Sequence, residues 1–205
     1  PRSTPLYSAA ASDVYKRQLD MRMNPETQIT AEKYVNESSE EELASLLYNY
    51  GDERYSKRVA RAIVSMRPIT STKELANIIS DAIPARSKRS PGHPARRSFQ
   101  ALRIAVNCEI EILESSIREA IQMLKVGGRG IVLSYHSGED KIIKRILREL
   151  AGLDISNSKY HPEVRHEKEI LLLARKAQRA SSDEISRNPR ASSALLRKFE
   201  KVSEL

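Results

Sequence analysis

Four polar side chains share one face of a predicted helix between residues 93 and 107. Arg96, Gln100, Arg103 and Asn107 follow one another at i, i+4, i+7 and i+11, which places them on the same side of an α-helix. Guanidinium and amide groups are poor material for a hydrophobic core, but they bind phosphates, carboxylates and base edges well. We therefore predict a ligand-binding face; a solvated helix surface is the alternative.

A second group of polar residues follows a short apolar run at residues 130–135. The run is typical of a buried parallel strand, and ligands of open α/β sheets bind at the carboxyl ends of such strands. His136 is then placed to act as a base or hydrogen-bond donor, and Ser134 to contact a substrate. In the alternative interpretation Ser137 and Asp140 cap the next helix and His136 bonds to a backbone carbonyl.

Basic residues concentrate in one predicted helix and in one loop. The net charge of +8 over 205 residues favours an anionic partner, with nucleic acid ahead of a membrane surface. We predict contacts with RNA phosphates, against the alternative of a solvated surface. The residues are Arg54, Lys57, Arg58 and Arg61 in the helix, and Arg86, Lys88 and Arg89 in the loop.

Several classes of site are not indicated by the sequence. The single Cys108 excludes an internal disulfide, fits a reducing cytoplasm and is predicted to be buried in a helix. The four histidines and Cys108 lack metal-ligand spacing, so we predict no metal site. No stretch approaches the roughly 20 apolar residues of a membrane span. There is no glycine-rich strand–helix turn of the G-x-G type, which counts against a dinucleotide-dependent oxidoreductase.

The elements that must position these residues fall into two regions. Residues 30–84 have helical periodicity, with helices ending at Gly51, beginning at Asp52 and beginning at a capping pair of Ser71 and Glu74. A basic loop at 85–92 marks a domain boundary.

The second region mixes helices with strands. A helix to residue 107, a helix at 110–125, a strand and a helix capped by Ser137 follow in the order of a doubly wound sheet. Runs at 169–176 and 194–202 are predicted to pair as an antiparallel edge hairpin, and 153–166 to form a loop.

Three stretches together resemble one family, the small-subunit (16S) rRNA cytosine-N4 methyltransferases (RsmH or MraW). They are HPARRSFQALRIAVN at 93–107, SYHSGEDKIIK at 134–144 and NPRASSALLR at 188–197, with LDMRM at 19–23 as a further match. The resemblance covers residues 19–205. Gly138 stands where the family usually has Leu, and Ser192 and Leu195 replace commoner basic residues.

The resemblance implies an α/β fold, a partial class I (Rossmann-like) S-adenosylmethionine-dependent methyltransferase with an inserted all-helical substrate-recognition domain. Residues 1–18 resemble adapter sequence, 19–28 a remnant of the methyltransferase core, 29–90 the helical insert and 91–205 the carboxyl-terminal part of the core. The family methylates a cytidine amino group in the decoding region of small-subunit rRNA, in the cytoplasm, so the implied partner is that rRNA or the 30S subunit.

Roles for individual residues follow from the resemblance. Asp20 and Arg22 would flank the cofactor cleft, and Ser134 and His136 would lie near the reacting amine. The RNA side would comprise Arg96, Arg97, Gln100, Arg103, Asn107, Arg54, Lys57, Arg58, Arg61, Lys88 and Arg89.

The family's glycine-rich cofactor loop lies upstream of the LDMRM stretch and has no counterpart here. We therefore expect this chain alone to fold marginally, to bind S-adenosylmethionine negligibly and to transfer no methyl group. The alternative is a non-catalytic RNA-binding or ribosome-associated protein. The coding sequence preceding Leu19 would separate the two.

Overall fold

The computed structural model describes residues 18–85, 87, 92–153 and 168–204, and the chain divides into two compact units. Unit 1 is Pro1–Glu109 and unit 2 is Ile110–Leu205. The predicted segment at 1–17 and most of the predicted loop at 153–166 lie outside the described residues. None of the helices in the described part is long and apolar enough to cross a membrane.

Unit 1 is helical in the part that the structure describes. Its helices are α1 (Ala31–Glu37), α2 (Glu40–Gly51), α3 (Ser56–Ser65), α4 (Thr72–Ala82) and α5 (Arg96–Val106). Serine side chains start α2 and α4: Ser39 forms a full capping box with Glu42, and Ser71 accepts from the Glu74 amide. The helices bury a common core that includes Leu43, Leu47, Val59, Ile63, Leu75, Ile79 and Leu102.

The carboxyl end of α2 packs directly on the start of α5. A Cβ at Gly51 would lie 2.6 Å from the Arg97 carbonyl oxygen and 3.1 Å from the Ala101 Cβ, so only glycine allows this approach. The helix ends at Gly51, as predicted, and the left-handed residue that follows it is Asp52, with φ of 48°. The predicted Asp52 cap of α3 is wrong, because Tyr55 holds the N-cap position without a side-chain hydrogen bond.

Helix α5 begins after the predicted domain boundary at 85–92, yet it belongs to unit 1 and packs mainly against α2. The apolar side of α5 is what joins it there, since Ala101, Leu102 and Val106 lie in the unit 1 core. The domain limits that the family resemblance implies remain predictions.

Unit 2 packs two helices on a small antiparallel sheet. Its elements are α6 (Glu109–Met123, beginning in unit 1), β1 (Arg129–Ser134), α7 (Ser137–Leu150), β2 (Ile170–Leu172), β3 (Gln178–Arg179), α8 (Ser182–Arg187), a 3₁₀ helix (Pro189–Ser193) and β4 (Leu195–Lys201). The strand order is β1-β4-β2, and β3 also pairs with β4. The core includes Ile117, Ile121, Ile143, Ile146, Leu147, Ile170 and Phe199.

The structure confirms a mixed α/β protein but corrects the predicted strand pairing. β1 was predicted to be a buried parallel strand; it pairs antiparallel with β4, and Ile131 and Leu133 are 67% and 51% exposed. An apolar run does not encode the direction of its neighbour, which explains the error. The antiparallel pairing of residues 170–172 with β4 is confirmed, although β4 lies between two strands rather than at an edge.

Cys108 is also placed differently from the prediction. It lies in the turn between α5 and α6, with φ of 48°, and it is exposed. Apolar neighbours in sequence do not bury a residue that leaves the helical conformation.

Candidate functional site

A polar concavity of about 640 Å³ opens at the amino-terminal end of α5 in unit 1. Residues from the α2–α3 connection form one wall and residues at the start of α5 form the other. The polar lining consists of Asp52, Glu53, Arg54, Tyr55, Ser87, His93, Arg96, Arg97 and Gln100. The structure therefore brings together four residues predicted to bind RNA, Arg54, Arg96, Arg97 and Gln100.

The cations of this concavity are available to a ligand. Arg54 and Arg96 are exposed, and no ion pair or side-chain hydrogen bond neutralises them within the described residues. Arg97 makes one weak bond, from its guanidinium to the Asp52 carbonyl at 3.3 Å. The three guanidiniums outnumber the two carboxylates of the lining, Asp52 and Glu53, so the concavity keeps an excess of positive charge that attracts phosphate.

Glu53 and Tyr55 also line the concavity. Glu53 is only 3% exposed, and one of its carboxylate oxygens accepts from the Tyr55 amide at 3.0 Å. The Tyr55 hydroxyl lies 2.8 Å from the Ser87 hydroxyl, which fixes the ring on the wall. A carboxylate accepts hydrogen bonds from exocyclic amines, and a tyrosine ring stacks on unpaired bases. In the sequence, only its position between two predicted helices distinguishes Glu53. Its burial depends on the tertiary structure and could not be read from the sequence.

Arg103 and Asn107, the other half of the predicted polar face, have protein partners instead. Arg103 binds Glu109 through two hydrogen bonds of 2.7 and 2.9 Å. The Asn107 amide donates to the Met21 and Arg103 carbonyls, and its oxygen accepts from the Met23 amide at 2.7 Å. Asn107 therefore holds the segment around Met21 against the end of α5.

Asp20 and Arg22 form a closed ion pair in that segment. The Arg22 guanidinium contacts both Asp20 oxygens, at 2.5 and 2.9 Å, and donates to the Pro25 and Thr27 carbonyls. The hydrogen bond from Arg22 holds the pKa of Asp20 below its usual value, although partial burial opposes this. The pair stabilises the 20–27 loop.

The cations of α3 do not all face one site. Arg54, just before α3, lines the concavity, whereas Arg58 and Arg61 line a separate groove of about 800 Å³ between α3 and α4. Arg61 also lies 3.3 Å from a Glu40 oxygen. Lys57 is exposed and lines neither. Lys88 and Arg89, like Arg86, lie outside the described residues.

In unit 2, His136 and Ser134 lie at the end of β1. His136, not the predicted Ser137, is the N-cap of α7: its Nδ1 accepts from the Glu139 amide, and Glu139 accepts from the His136 amide. The predicted cap Asp140 instead binds Arg197 through bonds of 2.8 and 2.9 Å. Ser134 is 2% exposed, and its hydroxyl is 3.5 Å from the Leu195 carbonyl.

The His136 ring is engaged on both nitrogens. Because Nδ1 accepts a hydrogen bond, the proton of the neutral ring is on Nε2, which lies 3.0 Å from a Glu139 oxygen. Burial raises the pKa of Glu139, but the hydrogen bonds from His136 and from the Tyr135 amide outweigh it and lower the pKa overall. Within the described residues, no group of histidine, cysteine, aspartate and glutamate is arranged to hold a metal ion.

Comparison with known proteins relates the chain to methylases of ribosomal RNA. The model of the MraW methylase family matches residues 13–202. Three relatives are called ribosomal RNA small subunit methyltransferase H. Those of Lactobacillus johnsonii and Halothermothrix orenii are each 44% identical, over 92% and 90% of this chain, and that of Acidothermus cellulolyticus is 46% identical over 91%. The matched part spans only 61%, 60% and 57% of these relatives. The match over nearly the whole chain shows that it belongs to the MraW methylase family.

Proposed function

We propose that this chain is the substrate-side part of an S-adenosylmethionine-dependent methyltransferase that modifies a cytidine N4 in small-subunit rRNA. The observation that carries the proposal is the concavity at the start of α5, where Arg54, Arg96 and Arg97 converge without carboxylate partners. Family membership supplies the reaction class, since the relatives are named for small-subunit rRNA methylation. In this proposal 29–90 are the helical insert of a class I fold.

The concavity offers contacts to a phosphate and to a base at the same time. Its guanidiniums suit phosphate oxygens, and Gln100 suits a base edge. Tyr55 supplies a ring for stacking, and the Glu53 carboxylate is an acceptor suited to the amino group of cytosine. A base must be unstacked before an enzyme modifies it, so a site combining these groups fits the substrate step.

The residues present do not fit the methyl donor. Asp20 and Arg22 were expected to flank the cofactor cleft. Their side chains instead bond to each other, and Arg22 also donates to two nearby carbonyls. We therefore derive no step through the cofactor. His136 and Ser134 are proposed to lie near the reacting amine, with His136 acting through the start of α7 as a positioning residue, because both ring nitrogens are already bonded.

RNA binding by the 205-residue chain tests the proposal. A fluorescently labelled hairpin with the small-subunit decoding sequence is titrated by anisotropy, beside a scrambled RNA of equal length. The variant R54A/R96A/R97A should bind the hairpin about 10- to 100-fold more weakly at moderate salt, because phosphate contacts are lost.

The matched control is R118A/R129A/R145A, which removes the same formal charge from ion-paired positions of unit 2. It should bind within about threefold of the wild type, because charges already neutralised by carboxylates contribute little to phosphate binding. Equal binding of both RNAs, or equal losses in both variants, would overturn the proposal.

The second candidate is a non-catalytic RNA-binding protein, which the closed Asp20–Arg22 pair favours. The coding sequence that precedes Leu19 separates the two candidates, because an in-frame glycine-rich loop there supports the enzyme. Calorimetric titration of the chain with S-adenosylmethionine gives a second test. Micromolar binding would contradict the argument that Asp20 and Arg22 are too fully engaged with each other to bind the methyl donor.

A further inference from the structure

We infer a second RNA-phosphate site on unit 2, in a small basic cavity between the carboxyl half of α7 and the start of β4. The cavity has a volume of about 190 Å³, and its charged lining is Lys144, Arg148, Arg175, Arg197 and Lys198. Among the described residues, no carboxylate side chain lines it. The inference rests on the proposed function only in taking RNA as the polyanion.

Two of the five cations are fixed by the protein and form the rigid side of the cavity. Arg197 is held by Asp140 through two hydrogen bonds, with side-chain exposures of only 13% and 17%. The Arg148 guanidinium donates to the Leu153 carbonyl at 3.1 Å. These fixed side chains form a rigid wall, but Asp140 already neutralises Arg197, so the charge offered to an anion comes from the other cations.

The other three cations, Lys144, Arg175 and Lys198, have no ion pair or side-chain hydrogen bond within the described residues. The chain holds Arg175 near β4 because the Leu173 amide donates to the Lys198 carbonyl at 3.1 Å. Uncompensated like charges around one cavity repel one another, and a bound anion removes this cost.

Three other arginines of unit 2 are neutralised by glutamates, unlike the unpaired cations of the cavity. Arg118 and Arg145 pair with glutamates at 2.8 and 2.6 Å, and Arg129 pairs with Glu200 at 2.9 Å. Lys144 is the sequence neighbour of paired Arg145, so its lack of a partner is not a property of α7 as a whole. The cavity therefore gathers three unpaired cations of the described chain around one small volume.

The size and lining of the cavity select the ligand. At about 190 Å³ it is smaller than the roughly 300–1,000 Å³ typical of small-molecule sites, so it suits a phosphate group rather than a whole nucleoside. Leu147 and Leu172 add apolar surface, which strengthens the attraction between the cations and a phosphate. Since single phosphates bind weakly, we commit to a phosphodiester of an RNA strand held by further contacts.

The experiment uses the full 205-residue chain and the labelled decoding hairpin. The variant K144A/R175A/K198A should bind about 5- to 50-fold more weakly than the wild type and should lower the log–log salt slope by up to about 2 to 3. The control R118A/R129A/R145A carries the same formal charge and should lower neither by as much. Circular dichroism melts establish that each variant is folded, and the single variant K198A replaces the triple if that one is not.

The outcomes separate this inference from the proposed function. If the wild type and K144A/R175A/K198A bind the hairpin equally well, the unit 2 site is overturned and the proposed function is not. If the wild type does not bind the hairpin, both the site and the proposed function are overturned. Equal losses in the two triple variants reduce the effect to net charge and overturn the site. If K144A/R175A/K198A loses binding to phosphatidylserine vesicles but not to RNA, the cavity binds a membrane surface. If inorganic phosphate binds as tightly as RNA in calorimetry, the cavity binds a free anion. Either result overturns the inference.

Discussion

The two halves of α5 carry the same kinds of side chain but use them differently. Arg96 and Gln100, in the first half, face the concavity and have no side-chain partners within the described residues. Arg103, in the second half, binds Glu109, and Asn107, the C-cap that follows it, binds the backbone around Met21. The helical spacing that groups the four residues fixes which side of α5 they occupy, but the neighbouring segments determine which become ligand-binding and which become structural.

The largest effect is expected where the first half of α5 is held in place. Gly51→Ala puts a Cβ 2.6 Å from the Arg97 carbonyl oxygen, and backbone does not yield as a flexible side chain would. We expect a loss of about 2–3 kcal/mol in the free energy of unfolding, measured by urea denaturation. Asn49→Ala, on the exposed side of the same helix, should cost less than about 0.5 kcal/mol. Equal stability of the two variants would contradict the close approach.

A smaller loss of stability is expected in the second half of α5. Asn107→Ala removes three hydrogen bonds and leaves the Met23 amide and Met21 carbonyl without that partner. The expected loss is about 1–2 kcal/mol, with weaker amide-exchange protection around residue 23. Asn49→Ala is again the control, since its amide bonds only to the Ser45 hydroxyl. Unchanged protection would show that Asn107 does not hold this segment.

Exchanging the two arginines of the polar face tests the contrast directly. Arg96→Ala should weaken RNA binding about 3- to 10-fold and leave stability within about 0.5 kcal/mol, because it removes an unpaired surface charge. Arg103→Ala should have the opposite pattern: a measurable loss of stability and an RNA affinity within about twofold of the wild type. Anisotropy and urea denaturation measure the two quantities. A larger loss of RNA affinity in Arg103→Ala would reverse the assignment of the two halves.

The smallest effect concerns acid stability of the segment tied to Asn107. Because Arg22 lowers the pKa of Asp20 below its usual value of 3.8, the pair contributes its stability above that value. The contribution is lost as the pH falls through the lowered pKa of the folded state. Asp20→Asn should therefore be less stable than the wild type at pH 7, and the two should converge toward about pH 2.

Arg22→Gln is the matched variant for that experiment. It should behave as Asp20→Asn does, and the double variant should lose little more than either single one, because both remove the same pair. A difference from the wild type that stays constant with pH would mean that the charge of Asp20 contributes nothing.

Much of the helical architecture could be predicted from sequence, because its signals are local. The Ser71–Glu74 start of α4 and the apolar side of α5 follow from residues a few positions apart. The N-caps of α3 and α7 were predicted less well, since several adjacent residues can cap and the packing selects one. The prediction for Ser137 failed because the His136 ring fills the same role one residue earlier.

Strand pairing and the composition of the site required the folded chain. The apolar run of β1 is compatible with either pairing direction, and its antiparallel register with β4 joins residues 61 to 71 positions apart in sequence, from Ser134↔Leu195 to Arg129↔Glu200. Glu53 and Ser87 entered the site only because the chain folds back beside α5. Arg103 left the predicted site because Glu109 lies within reach after the turn at Cys108.

The sequence by itself determined the family, the helices of unit 1 and the cationic character of the chain, because these depend on residue identity and short-range periodicity. Only the tertiary structure decided which of those cations are free. An arginine becomes structural when the fold brings a carboxylate or carbonyl within about 3 Å, as at Arg22, Arg103 and Arg197. Within the described residues, Arg54 and Arg96 at the start of α5 have no such partner, and neither do the three unpaired cations beside β4. Their charge remains available to a phosphate.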